Sequence, residues 1–327
     1  MHKLSKLDLD ILYELEKDAR QPLSQIAKRL NTSQQVVSYR ISSLQHRDVI
    51  GGFYTVADFA ALGYTSYRTM IRFSNINEHR YKEIVSYLKG HPNVLWLVDC
   101  GGRWDILVNF MAKNIVHYNE IITKFRNKFP KQIQNYDILT TVSIIDFGRD
   151  YFTKKTGEIK KVSYLIKEQG AVKIDEIDKA ILKFLSENAR IGSAEIAKSI
   201  GITANTVVLR IKKMKKSGFI QGFKPLIHLE NTPYSGYKAL IKFQNITELK
   251  EKQLVNYLRT NPNVVGVIRL VGSWDFEIEF EVETRNQVLQ LTRNVRDKFS
   301  NIIKEFELTP LFHEYKYNFF PSNNYKN

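Results

Sequence analysis

The chain has 327 residues, 43% of them hydrophobic and 12% aromatic, which bounds it to an ordinary globular polypeptide of about two or three domains. No apolar run is long enough to span a bilayer, no charged-then-apolar leader follows Met1, and a single cysteine excludes an intrachain disulfide and suits a reducing compartment. The formal net charge of +15 is compatible with nucleic acid, anionic lipid or no specific partner, so its placement decides more than its size.

In chain order, Leu7, Ile11, Leu12 and Leu15 follow helical spacing, and a second short amphipathic stretch carries Ile26, Ala27 and Leu30. A third helix opens after the N-cap candidate Ser33 and buries Val37, Ile41 and Leu44; Thr32 and Gln35 have the spacing of a capping box. Val49-Ile50-Gly51-Gly52-Phe53 then reads as a short strand, a glycine turn and a returning strand. The whole pattern returns 170 residues later, without insertion or deletion, from Asp178-x-x-Ile181-Leu182-x-x-Leu185 through Val207, Ile211 and Met214 to Phe219-Ile220-Gln221-Gly222-Phe223. Three helices and a small hairpin are the plan of a winged helix-turn-helix, expected at residues 1–57 and again at 174–227.

A helix of this kind fits the major groove of duplex DNA and presents its N-terminal residues to base edges. The outward positions are Gln34, Gln35, Ser38 and Tyr39 in the first copy, with Arg40 and Arg47 behind them. In the second copy they are Ala204, Asn205, Thr206 and Leu209, followed by Arg210, Lys212, Lys213, Lys215 and Lys216 with no acid among them. A solvated helix face is the alternative reading of such lysines. The charge is lopsided in the same sense: residues 1–150 hold 20 basic and 15 acidic side chains, a net +5, which leaves +10 for the remainder. The second copy is therefore expected to supply most of the salt-dependent affinity.

Each copy continues into β-rich, alternating sequence. Strands are predicted at Ser66–Phe73, Val94–Cys100, Trp104–Met111 and within Gln132–Ile145, with helices at Glu78–Lys89 and about Ile115–Phe129. Their counterparts are Gly236–Phe243, Val264–Val271, Trp274–Val282, Ile302–Tyr315, Leu249–Arg259 and Val288–Phe299. The order βαββαβ predicts a ferredoxin-like sheet with both helices on one face, at residues 58–146 and 228–318. Apolar positions on the other face call for sheet-against-sheet pairing, either between the copies or between chains. Cys100, at the end of an apolar run, is expected as a buried packing thiol.

Between the copies, residues 147–173 read as a basic linker carrying Lys154, Lys155, Lys160, Lys161 and Lys167. A hairpin is possible there, with Tyr151–Lys155 against Lys160–Ile166 around Thr156-Gly157. As a flexible chain of about 25 residues the linker reaches about 25–30 Å, enough for the copies to pair within one chain. Residues 319–327 read as a flexible tail, and the aromatic set Tyr315, Tyr317, Phe319 and Phe320 is expected on the preceding sheet.

The opening Asp-x-x-Ile-Leu-x-x-Leu motif with Ala19-Arg20 and Ala189-Arg190, the winged unit, the βαββαβ module and the Gly-x-Trp-Asp turns together resemble the Lrp/AsnC transcription regulators, each copy resembling one family member. The resemblance implies a prokaryotic, cytoplasmic, nucleoid-associated regulator that binds double-stranded DNA, self-associates through its RAM-domain sheets and responds to an amino-acid effector. By position it places the effector at Gly102 and Asp105, and at Gly272 and Asp275, with Trp104 and Trp274 standing where the family commonly has Tyr. A tight hairpin turn is the alternative explanation of those residues. The same two-module architecture resembles siroheme decarboxylases, whose His-rich turn is replaced here by Gly101-Gly102-Arg103-Trp104-Asp105 and Gly272-Ser273-Trp274-Asp275. A third reading is a RAM-type metabolite sensor that does not bind DNA. No nucleophile–base pair, phosphate loop or metal-spaced Cys/His set is evident, so no enzyme activity, cofactor or metal is expected.

Overall fold

In the computed structural model, residues 3–74, 76–153, 163–164 and 173–318 are described. The first half runs α1 (Lys6–Lys17), α2 (Leu23–Arg29), α3 (Gln34–His46), β1 (Ile50–Ala57), β2 (Thr65–Phe73), α4 (Glu78–Gly90), β3 (Val94–Cys100), β4 (Ile106–Ala112), α5 (Ile115–Lys128) and β5 (Ile133–Asp146). A two-residue strand, β6 (Ser163–Tyr164), lies between the halves. The second half repeats the order as α6 (Glu176–Glu187), α7 (Ser193–Ile200), α8 (Ala204–Lys216), β7 (Ile220–Ile227), β8 (Ser235–Phe243), α9 (Glu248–Arg259), β9 (Val264–Val271), β10 (Phe276–Val282), α10 (Arg285–Lys298) and β11 (Ile303–Tyr317).

The predicted glycine hairpins do not form. β1 is one continuous strand, and it pairs antiparallel with β7 of the other half, Tyr54 opposite Lys224 and Ala57 opposite Ile220. Gly51 and Gly52 do not turn the chain; neither has a positive φ, and the register shifts between Ile50 and Gly52, as at a bulge. A Cβ on Gly51 would collide with the His228 imidazole, so close approach rather than turning explains that glycine.

The helical units grip each other around this ribbon. Ala19 N–H donates to Phe223 O at 2.8 Å, and Ala189 N–H to Phe53 O at 2.9 Å. Arg20 Nη1 donates to Ala189 O at 2.7 Å and Ile191 O at 2.6 Å, while Arg190 returns a bond to Ala19 O. Ile11, Leu15 and Val37 of one half share a single apolar core with Ile181, Leu185 and Val207 of the other.

The remaining strands close a ring in the order β2-β4-β3-β11-β8-β10-β9-β5, because β5 also pairs with β2. β5 and β11 are long enough to belong to both sheets. β5 pairs with β2 through Thr140 and then with β9 to Asp146, and β11 pairs with β8 through Pro310 and then with β3 to Tyr317. Apolar side chains between the sheets, among them Met70, Trp96, Leu107, Leu240, Ile268 and both turn tryptophans, form their own core. The sheet-against-sheet pairing is thus made between the two halves of one chain.

Several expectations need correction. Tyr315 and Tyr317 pack on the opposite half, not the preceding sheet, Tyr317 lying 4.6 Å from the Tyr54 ring; Phe319 and Phe320 lie outside the described residues. The start of the linker is core, not solvated chain: Phe147, Tyr151 and Phe152 are buried, and Asp150–Phe152 is a 3-10 turn rather than a strand. Lys154, Lys155, Lys160, Lys161 and Lys167 lie outside the described residues. No capping box forms at Thr32; Ser33 caps α3 alone, its hydroxyl accepting from Val36 N–H at 3.2 Å.

Candidate nucleic-acid interface

α3 and α8 are each set by a cap and a buried stripe. Ser33 and Thr203 accept from the third residue of α3 and α8, and Val37, Ile41, Leu44 and Val207, Ile211, Met214 turn inward. That leaves Gln34, Gln35, Ser38 and Tyr39 exposed on α3, the Tyr39 ring at 70%. On α8, Ala204, Asn205 and Leu209 are exposed, while Thr206 is half-buried with its hydroxyl 2.8 Å from that of Thr203.

The arginines behave differently from the lysines. Arg40 and Arg47 both reach Asp8, at 3.5 Å each, and Arg210 reaches Asp178 at 2.9 Å and Asp175 at 2.6 Å. Asp8 and Asp178 are buried, and each is also the third residue of a capping box, at the start of α1 with Ser5 and of α6 with Asp175. Arg40 and Arg47 therefore brace α3, and Arg210 braces α8, against the first helix of its own unit. The Asp–Arg coupling was hidden in the sequence because 32 residues separate its members.

Lys212, Lys213 and Lys216 are exposed and have no acidic partner among the described residues. Lys215 reaches across the chain to Asp18 of the first half at 3.3 Å and lies over the Phe223 ring. Two exposed lysines missed in the sequence, Lys28 on α2 and Lys198 on α7, sit on the helices that precede the recognition helices.

The Gly-x-Trp-Asp turns are strongly structural. Trp104 and Trp274 are buried between the sheets. Asp105 accepts from Phe73 N–H at 2.6 Å and Asp275 from Phe243 N–H at 2.8 Å, tying each turn to the first strand of its own sheet. Gly102 has φ +92°, a left-handed value that favours glycine, and at Gly272 an added Cβ would collide with Leu139 and the Ile138 carbonyl of the opposite half. The turns are chemically unequal. Lys242 neutralises Asp275 at 2.7 Å, whereas Arg72, its counterpart, donates to Arg103 O instead. An open cleft beside the first turn is lined by Glu78, Tyr81, Asp99, Cys100, Asp105 and Phe312. Cys100 is buried there with its thiol pushed well up by burial, so it packs rather than reacts. Among the described residues no group of three His, Cys, Asp or Glu is placed to hold a metal, and no helix is long and apolar enough to cross a membrane.

These units are winged helix-turn-helix modules, the class of fold that carries a helix into the groove of DNA. Residues 4–50 match the winged helix-turn-helix DNA-binding family and residues 174–215 the AsnC-type helix-turn-helix domain. An uncharacterized HTH-type transcriptional regulator of Pyrococcus furiosus is 31% identical over 130 residues, 39% of this chain and 86% of that protein. The HTH-type transcriptional regulator FL11 of Pyrococcus horikoshii is 30% identical over 115 residues, 35% of this chain and 74% of that protein. Over the whole fold, the siroheme decarboxylase NirDL superposes with a TM-score of 0.60, covering 97% of this chain and 94% of that one, at 12% sequence identity, a likeness of fold alone. The chain belongs to the Lrp/AsnC family, and it is a DNA-binding transcription regulator rather than an enzyme.

Proposed function

We propose that this regulator reads double-stranded DNA sequence-specifically, with α3 and α8 as two unequal recognition helices in one chain that performs the work of a two-fold dimer. The observation that carries this reading is the joining of both helical units by the β1–β7 ribbon, each with its recognition face exposed. Gln34 and Gln35 suit bidentate pairing with adenine on one side, and Asn205 on the other, each worth about 1–3 kcal/mol of discrimination. Lys212, Lys213 and Lys216 suit phosphate, and Lys215 joins them if it releases Asp18.

The test is the salt dependence of binding to a genomic duplex. Replacing Lys212, Lys213 and Lys216 with alanine should flatten the log–log slope by about 2 to 3, since each neutralised phosphate contributes about 0.9. An unchanged slope removes α8 from the DNA face. Alanine at Gln34 and Gln35 should instead relax sequence preference and leave the slope as it is.

For effector control, the first turn is the better site for an amino acid. Asp105 keeps one carboxylate oxygen without a partner among the described residues, and it opens on the cleft with Asp99, while Asp275 already holds Lys242. Asp105→Asn should weaken a measurable amino-acid response, and Asp275→Asn should not. The decarboxylase reading is disfavoured by charge: a cavity of about 90 Å³ between the helical layer and the sheets carries six carboxylates against two cations, a poor match for a polycarboxylate tetrapyrrole. A new visible absorbance band on mixing with a tetrapyrrole would reverse that judgement.

A further inference from the structure

That cavity lies between the helical layer and the paired sheets. Glu16 of α1, Tyr54 of β1 and Lys224 of β7 form its roof, and Glu279 and Glu281 of β10 and Glu314 of β11 its floor. Val56, Val98, Ile144 and Leu311 supply apolar walls.

Its charges do not balance. Arg149 is spent on Glu281 at 2.9 Å and on Glu16 at 3.1 Å, and Lys224 on Glu16 at 3.0 Å and on Asp146. Lys238, behind the wall, serves Glu277 at 2.7 Å and Glu279 at 2.9 Å, and Glu230 at the rim takes His313. Glu314 is left with no cation among the described residues; its carboxyl accepts from the Trp96 indole N–H and faces the negative field of Glu279. Its counterpart in the first half, residue 144, is Ile, so the acid is particular to the second half.

We propose that this cavity binds a small alkylammonium cation, its head between Glu314 and Glu279 and its hydrocarbon tail against Val98 and Leu311. A cation there supplies the missing positive charge, and the apolar wall selects an amine over a hydrated metal ion. Burial, with the Glu279 charge, pushes the Glu314 carboxyl up to about 7, against the pull of Trp96, Arg149 and Lys238. The occupied state therefore forms more readily above neutrality, where Glu314 is ionised, than below it. The other ionisable groups around the site, Glu16, Asp146, Arg149, Lys224, Glu281, Tyr54 and Tyr317, are engaged with one another across the three layers.

The inference goes beyond DNA reading and does not depend on it, because the experiment contains no nucleic acid. Full-length protein is titrated calorimetrically with n-butylamine at pH 8 and pH 6, with n-butanol as the uncharged isostere. Saturable binding of the amine, absent for the alcohol and weaker at pH 6, is expected. Glu314→Gln should reduce affinity by about tenfold or more, the factor one charge-assisted hydrogen bond carries. Glu279→Gln should weaken it in the same direction and decides the matter should the first variant fold poorly. Equal binding of amine and alcohol, amine binding unchanged in both variants, or no amine binding into the millimolar range would each overturn the proposal.

Discussion

Asp178 shows how one side chain can carry two tasks. It closes the capping box of α6, accepting from the Asp175 backbone, and it anchors Arg210 of the recognition helix. Asp178→Ala should lower stability by about 2 kcal/mol in urea unfolding, since a cap and the ion pair of a buried carboxylate with half-buried Arg210 are lost together. Glu314 has the opposite character. Its folded pKa lies near 7, above the ordinary 4.5, so the native state holds a proton that the unfolded chain has released. Stability should then fall as pH rises from about 4.5 to 7 and level off above, and Glu314→Gln should remove that part of the profile. The exposed faces of α3 and α8 were legible from helical periodicity and an N-cap signal. The Arg–Asp braces were not, because a sequence gives no sign that two distant charges will meet.

At the scale of elements, helices and sheet strands followed their hydrophobic periods closely. β3 and β9, for example, run over the ranges their apolar stretches define, Val94–Cys100 and Val264–Val271. Gly51-Gly52 and Gln221-Gly222 misled because glycine before an aromatic residue is a sound local turn signal, and the competing strand partner lies far along the chain. Local chemistry lost to a non-local ladder, whose residues gain inter-strand hydrogen bonds and cover the shared helical core. The two glycines provide a check by thermal denaturation. Gly51→Val should destabilise by about 1–3 kcal/mol through overpacking against His228. Gly52→Ala, with nothing within 4 Å of the new methyl, should stay within about 0.5 kcal/mol of the native chain.

The whole molecule depends on a buried asymmetry between its sheets. Arg68 and Lys238 occupy equivalent strand positions, and both pair with Glu277, whose counterpart in the first half is Leu107. All three charged groups are buried, and although burial pushes Glu277 up, the two cations hold it below 4.5. The stability it contributes is present above pH 4.5 and is lost as pH falls through its depressed folded value. Glu277→Leu would make the halves alike here but leave the Arg68 guanidinium buried without an acid and Lys238 with Glu279 alone, at a cost of about 3–5 kcal/mol. Adding Arg68→Met should recover part of that loss. Two first halves placed face to face would bury two Arg68 guanidiniums against Leu107, with no acid between them. Such fragments, residues 1–153, should remain unassociated in sedimentation.

The ribbon joining the helical units has a consequence for the cell's arithmetic. A regulator assembled from separate subunits must first find its partner, so its hold on a promoter weakens with roughly the square of its scarcity. Here both helical units are carried by one chain, so on the proposed reading promoter occupancy should track the number of chains to the first power, down to a few molecules.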